Sequence, residues 1–153
     1  MHSLIQFVPA FAVVATGLLA GVMLGVAIEQ QTAQTLPAEC WIVRQNLNNH
    51  LFRVVMPITF IITNASACWA IFLLRGSARI WMVGTIASSL VVVLITIAFE
   101  VPLNNLMAKW GPSNLPGNWE LTRDTWLRNH WWRTLFGVIA FLCSTMAACL
   151  GTS

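Results

Sequence analysis

Two stretches of this chain carry the same order of amide and ionisable side chains: Asn49-His50-Leu51-Phe52-Arg53 and Asn129-His130-Trp131-Trp132-Arg133. Each follows an apolar run that ends in an acid, Ile28-Glu29 in the first half and Phe99-Glu100 in the second. In each copy the histidine and arginine are three residues apart, so they share a helix face. Two chemistries fit these residue types. In the first, Glu29, His50, Glu100 and His130 form a metal set, since helical bundles hold paired metals with inward Glu and His side chains. Imidazole suits a redox transition metal such as copper or iron, and Arg53 and Arg133 would then orient the carboxylates from outside the ligand sphere. The Glu-x-x-His spacing of ferritin-like sites is missing, however. In the second there is no cofactor. A histidine or glutamate removes an acidic C–H proton as general base, and an arginine stabilises the enolate that forms. The catalytic candidates are His50, His130, Arg53 and Arg133.

Three further features bear on a pocket. Gly17, Gly21 and Gly25 recur at the four-residue spacing that lets helices approach closely in lipid. Glu29 continues that spacing and is expected to point into the bundle. Pro102, in Glu100-Val101-Pro102-Leu103-Asn104, removes a helix hydrogen bond, and irregular backbone inside a membrane is tolerated where it lines a cavity. Asn104 then shares the face of Glu100. Six of the eight tryptophans (Trp41, Trp110, Trp119, Trp126, Trp131 and Trp132) fall on the Glu/His side. Tryptophan anchors membrane interfaces, yet Trp126 and Trp110 are also suited to wall an aromatic ligand.

The elements that position these residues follow from composition. Only 8% of the 153 residues are charged and 58% are hydrophobic, with mean hydropathy +0.74, against about 25% charged in soluble domains. Four runs reach the roughly 20 apolar residues that cross a bilayer: about 4–28, 52–74, 80–103 and 131–150. The expected fold is all-α: one multi-pass integral membrane domain over residues 1–153, an up-down-up-down four-helix bundle with a pseudo-twofold repeat of two hairpins. The first run lacks a basic leader region and exceeds signal-peptide length, so it is expected to be retained. Thr35-Leu36-Pro37 reads as the start of a helix running into span two, and Asn118 as the start of one running into span four. Lys and Arg fall on both sides of the spans, so no orientation is assigned. The net charge of +3 suggests no nucleic-acid partner. Cys40, Cys68, Cys143 and Cys149 form no CxxC pair and read as small packing residues.

The chain resembles the anthrone-oxygenase-like family of small four-helix membrane proteins. The resemblance rests on four spans, on Val101-Pro102-Leu103-Asn104 closing the third, and on Trp126-x-x-Asn129-His130-x-x-Arg133 entering the fourth. It implies oxidation of anthrones to anthraquinones with molecular oxygen, and places Asn104, Trp126, His130 and Arg133 on the functional face. The reading that follows is a membrane oxidase or oxygenase acting on a small aromatic or lipophilic substrate. Its partners would be the lipid bilayer and molecular oxygen, with a homo-oligomer left open. The competing reading is a non-catalytic membrane subunit or carrier whose Glu/His/Arg cluster only ties helices together.

Overall fold

In the computed structural model, backbone is described for residues 2–151 and side chains for residues 6–151. Helix α1 spans His2–Ala33 and α2 spans Ala38–Leu73. Helix α3 (Gly76–Ile95) passes through a π-helical turn, Thr96–Glu100, into α4 (Val101–Met107), and α5 covers Trp119–Gly151. Four segments, with α3, the π turn and α4 counted as one, are long and apolar enough to cross a membrane. The protein is an all-α, multi-pass membrane bundle. Pro37 caps α2 and α5 starts directly after Asn118, so both outer connections are largely absorbed into helix, as expected. The helices are accordingly longer than the apolar runs.

The middle connection is tight. Leu74 and Arg75 link α2 to α3, and Gly76 adopts φ +55°, a left-handed conformation that suits glycine. Arg79 Nε donates to the carbonyls of Ile71 (3.0 Å) and Leu74 (3.1 Å), closing the end of α2. Helix α5 packs closely against both α1 and α3, and α2 lies against α1 but only sparsely against α3 and α4.

The interior is built in three tiers. At the tight-turn end Val8, Ala70, Leu74, Met82 and Ala147 pack together. Leu19, Met23, Met56, Phe60 and Val92 fill the middle. At the other end Trp41, Ile42, Met107 and Trp126 are buried beneath Trp110 and Trp119. Hydroxyl and amide groups tie the helices across the apolar interior. Thr16 and Ser144 hydroxyls are 2.7 Å apart, and Asn64 Nδ2 donates to Ser89 Oγ at 2.9 Å. Of the cysteines, Cys143 is buried and packs near Gly84, whereas Cys40, Cys68 and Cys149 are exposed.

The glycine stripe on α1 is only partly a packing surface. A Cβ on Gly17 would lie 3.0 Å from the Phe141 ring of α5, but Gly21 and Gly25 have nothing within 4 Å. The cause is helical phase. Residues four apart drift by about 40° per step on a 3.6-residue helix, so Glu29, three steps on, has turned about 120° from Gly17. Buried residues on α1 instead follow Thr16, Met23 and Gln30, which are spaced by seven.

Candidate active site

The π turn sets the phase of the third span. Ala78, Thr85 and Val92 are buried at a spacing of seven. The series resumes at Glu100 and Met107, one residue late, with Phe99 and Leu106 exposed. That extra residue is the one a π turn inserts. Pro102 supplies the reason, having no N–H and a ring that would clash with the carbonyl four residues back. The Val101 N–H accordingly reaches back five residues to Thr96.

A cavity of about 290 Å³ lies beside this turn, bounded by α1, α2, α4 and α5. Glu100, His130 and Arg133 reach into it from two helices, with Asn104 and Trp126 beside them. Phe52, Met56, Met23 and Val26 give it apolar walls. Glu100 and His130 are 1% and 0% exposed and Arg133 8%, so all three ionisable groups are shut inside the protein.

The histidine is held on two sides. Its Nε2 lies 2.9 Å from the Met23 carbonyl, and since a carbonyl only accepts, Nε2 carries the hydrogen. In the neutral ring Nδ1 is then a bare acceptor, and it is buried without a hydrogen-bond partner among the described residues. Trp126, one turn earlier on α5, stacks on the ring at 4.9 Å and 10°. Trp126 Nε1 donates to Asn104 Oδ1 at 2.9 Å. The Asn104 carbonyl in turn lies 3.5 Å from Asn49 Nδ2 on α2. A chain of contacts thus fixes the imidazole from α4 through Trp126.

Arg133 Nη1 lies 3.7 Å from Glu100 Oε2 and donates to Thr96 Oγ1 at 3.3 Å. Among the described residues neither Glu100 oxygen has a hydrogen-bond partner, and neither does Arg133 Nε. Buried polar atoms are nearly always paired in folded proteins. Four open ones around one cavity (both Glu100 oxygens, Arg133 Nε and His130 Nδ1) are what a ligand-binding site provides. The geometry can take a proton at one nitrogen and receive an anionic oxygen at a guanidinium a short distance away.

The other expected residues fall elsewhere. Glu29 is exposed and paired with Arg44 of α2 at the surface. His50 is exposed too, because on α2 the buried series Ile42, Met56, Thr63 and Ala70 passes through Asn49, which leaves His50 about 100° off the face. The set Glu29, His50, Glu100 and His130 is therefore not assembled. Among the described residues no three His, Cys, Asp or Glu side chains are grouped to hold a metal, and the cavity offers only Glu100 and His130 beside a cationic Arg133. This donor set does not fit the expected copper or iron site. The duplicated motif is likewise not duplicated in placement: the second copy turns His and Arg inward, the first turns Asn49 inward. Arg53 lines the cavity but is exposed. Trp110 packs in the tier above and accepts a hydrogen bond from Asn46 at its carbonyl (3.1 Å), without lining the cavity. Trp131 and Trp132 face outward.

Sequence reasoning passed over Gln30, Gln45 and Thr96. Gln30 Nε2 donates to Gln45 Oε1 at 2.9 Å on the cavity wall, both side chains buried. The seven-residue spacing of Thr16, Met23 and Gln30 was a usable signal for the first. Nothing in the local sequence singles out Thr96.

Neither the curated proteins nor the solved structures compared with the chain include a match. A family model described as anthrone oxygenase does match, over residues 47–143, from the cavity-lining turn of α2 to Cys143 in α5. That stretch is more than half of the chain and contains Asn49, Arg53, Thr96, Glu100, Asn104, Trp126, His130 and Arg133. By that match this four-span membrane protein belongs to the anthrone oxygenase family.

Proposed function

We propose that the cavity oxidises a small lipophilic aromatic ketone of the anthrone type with molecular oxygen, with His130 as the base and no metal-bound step. The observation that carries this reading is the buried, unpartnered Nδ1 of His130, whose tautomer the Met23 carbonyl sets, in a cavity shared with Arg133. A volume of about 290 Å³ lies just below the roughly 300–1,000 Å³ of small-molecule sites. The apolar walls and Trp126 suit a flat ring system.

His130 Nδ1 takes a proton from the ring methylene, and the C–H electron pair moves into the ketone to give an enolate. The free N–H at Arg133 Nε stabilises the enolate oxygen, as fixed donors do in water-poor sites. The carbanionic carbon passes its electrons to O₂ one at a time and a C–O bond forms, giving a peroxide anion that takes the proton back from the imidazolium. Loss of the remaining C–H proton to the base forms C=O, breaks O–O and releases hydroxide, which leaves as water. Methylene plus O₂ becomes ketone plus water, and the protein returns unchanged. Glu100 holds Arg133 against Thr96 and compensates its buried charge.

The test is oxygen uptake and quinone absorbance with a hydroxylated anthrone, above the protein-free rate, using protein in lipid nanodiscs. Because a positioned base contributes about 10²–10⁴-fold, His130→Gln should bring the rate to background while thermal unfolding shows a folded bundle. A folded His130→Gln protein retaining half the wild-type rate would remove His130 from the chemistry.

A further inference from the structure

The cavity is not closed on all sides. Besides Val22 on α1, four of its lining residues, Arg53 and Pro57 on α2 and Val101 and Asn105 on α4, are exposed. They lie across the seam where α2 packs only sparsely against α3 and α4. Phe99, Ile97 and Ile58, the neighbours on either side of that seam, are exposed apolar side chains of the kind that face acyl chains. The cavity is thus flanked by exposed residues on both sides of the α2/α4 seam, among apolar side chains.

Arg53 stands at this seam as a cation with no hydrogen bond or ion pair to any described residue. Among the described residues the only carboxylate lining the cavity, Glu100, already faces Arg133. Two guanidinium groups thus serve one acid around a largely apolar space. A cation is costly within a membrane-spanning segment unless it reaches the interface or finds an anion, and the planar guanidinium pairs best with a planar oxyanion, often through two parallel hydrogen bonds.

We propose that the substrate enters laterally from the bilayer between α2 and α4 and carries a carboxylate, which Arg53 binds at the mouth while the aromatic part passes inward to Trp126 and His130. This rests on the reading of the cavity as a substrate site, and it adds the class of substrate: an amphiphilic aromatic acid, bound in preference to a neutral ring system. Arg53 is a specificity-determining residue under this proposal, and it touches the substrate away from the reacting carbon.

Binding, not turnover, is the test, so that a failure of the oxidation chemistry leaves it intact. Equilibrium binding of anthraquinone-2-carboxylate and of unsubstituted anthraquinone is measured on the full chain in phosphatidylcholine nanodiscs. Neither probe has a methylene to oxidise. Wild type should bind the carboxylate about tenfold or more tightly than the neutral quinone, the range of one charge-assisted hydrogen bond. Arg53→Gln should remove that preference and leave the neutral quinone within about twofold. Arg53→Lys should keep part of it, since charge without the fork geometry is retained. A carboxylate preference that survives Arg53→Gln overturns the proposal, as does equal binding of the two probes by wild type. Exposed Arg53 could otherwise serve a lipid phosphate. In that case anionic phosphatidylglycerol nanodiscs would stabilise wild type over Arg53→Gln while neither protein distinguished the probes, and this outcome also overturns it.

Discussion

Replacing Arg133 should expose the electrostatics that the cavity is built on. Glu100 Oε2 and Arg133 Nη1 are 3.7 Å apart, with side chains 1% and 10% exposed. At an effective dielectric constant of about 20, two unit charges at that distance attract by about 4.5 kcal/mol. Desolvation offsets much of this in the intact pair, but removing one partner leaves the other buried charge uncompensated, which costs about 3–5 kcal/mol. Arg133→Gln is the harsher change, because neither Glu100 oxygen has another hydrogen bond. Glu100→Gln is milder, since Arg133 keeps its contact with Thr96 Oγ1. The double variant carries no charge at either position and should be more stable than the sum of the single losses predicts, by about 2–4 kcal/mol of coupling. The assay is reversible unfolding in mixed micelles with increasing anionic detergent, followed by helical circular dichroism for the wild type, both single variants and the double. Losses that add to within about 0.5 kcal/mol would show that the two groups do not sense one another, and the account of Glu100 as the group that compensates Arg133 would fail.

Three further outcomes follow. Trp126→Phe keeps a ring over His130 but loses the bond to Asn104, so anthraquinone Kd should rise about two- to tenfold, the net value of a hydrogen bond, whereas Trp126→Ala should also destabilise the bundle by about 3–5 kcal/mol. Gly17→Ala drives a Cβ against Phe141 and should cost about 1–3 kcal/mol, while Gly25→Ala, with open space around it, should be neutral or stabilising by up to about 1 kcal/mol; unfolding of the two variants side by side checks the assigned faces of α1. Glu29→Gln removes a surface pair with Arg44 and should cost no more than about 1 kcal/mol, and His50→Gln should leave oxygen uptake within about twofold. A loss of uptake in either as deep as in His130→Gln would return the first motif copy to the site.

Much of the architecture was legible from local composition. Four apolar runs dictate four spans, because bilayer thickness and the need to satisfy every backbone polar group leave no other form. Pro37 and Asn118 marked helix starts that the structure contains. Pro102 next to Glu100 pointed to irregular backbone beside a cavity, and the π turn and the cavity lie there. These readings succeeded because each depends on residues close together in the chain.

What failed was phase. Asn-His-x-x-Arg is the same string twice, yet His130 is buried and His50 is not. A string of five residues spans little more than one helical turn and does not state which side of that turn meets its neighbours. That depends on the seven-residue spacing of buried positions along the whole helix and, in the third span, on one extra residue in a π turn. The chain alone determines that acids, imidazoles and guanidiniums collect near one end of a membrane bundle. Packing of α5 against α1 and α3 decides that Glu100, His130 and Arg133 are buried around a common space while Glu29 and His50 stay outside it, since helix rotation is set by the side chains it must interlock with and not by the motif it carries.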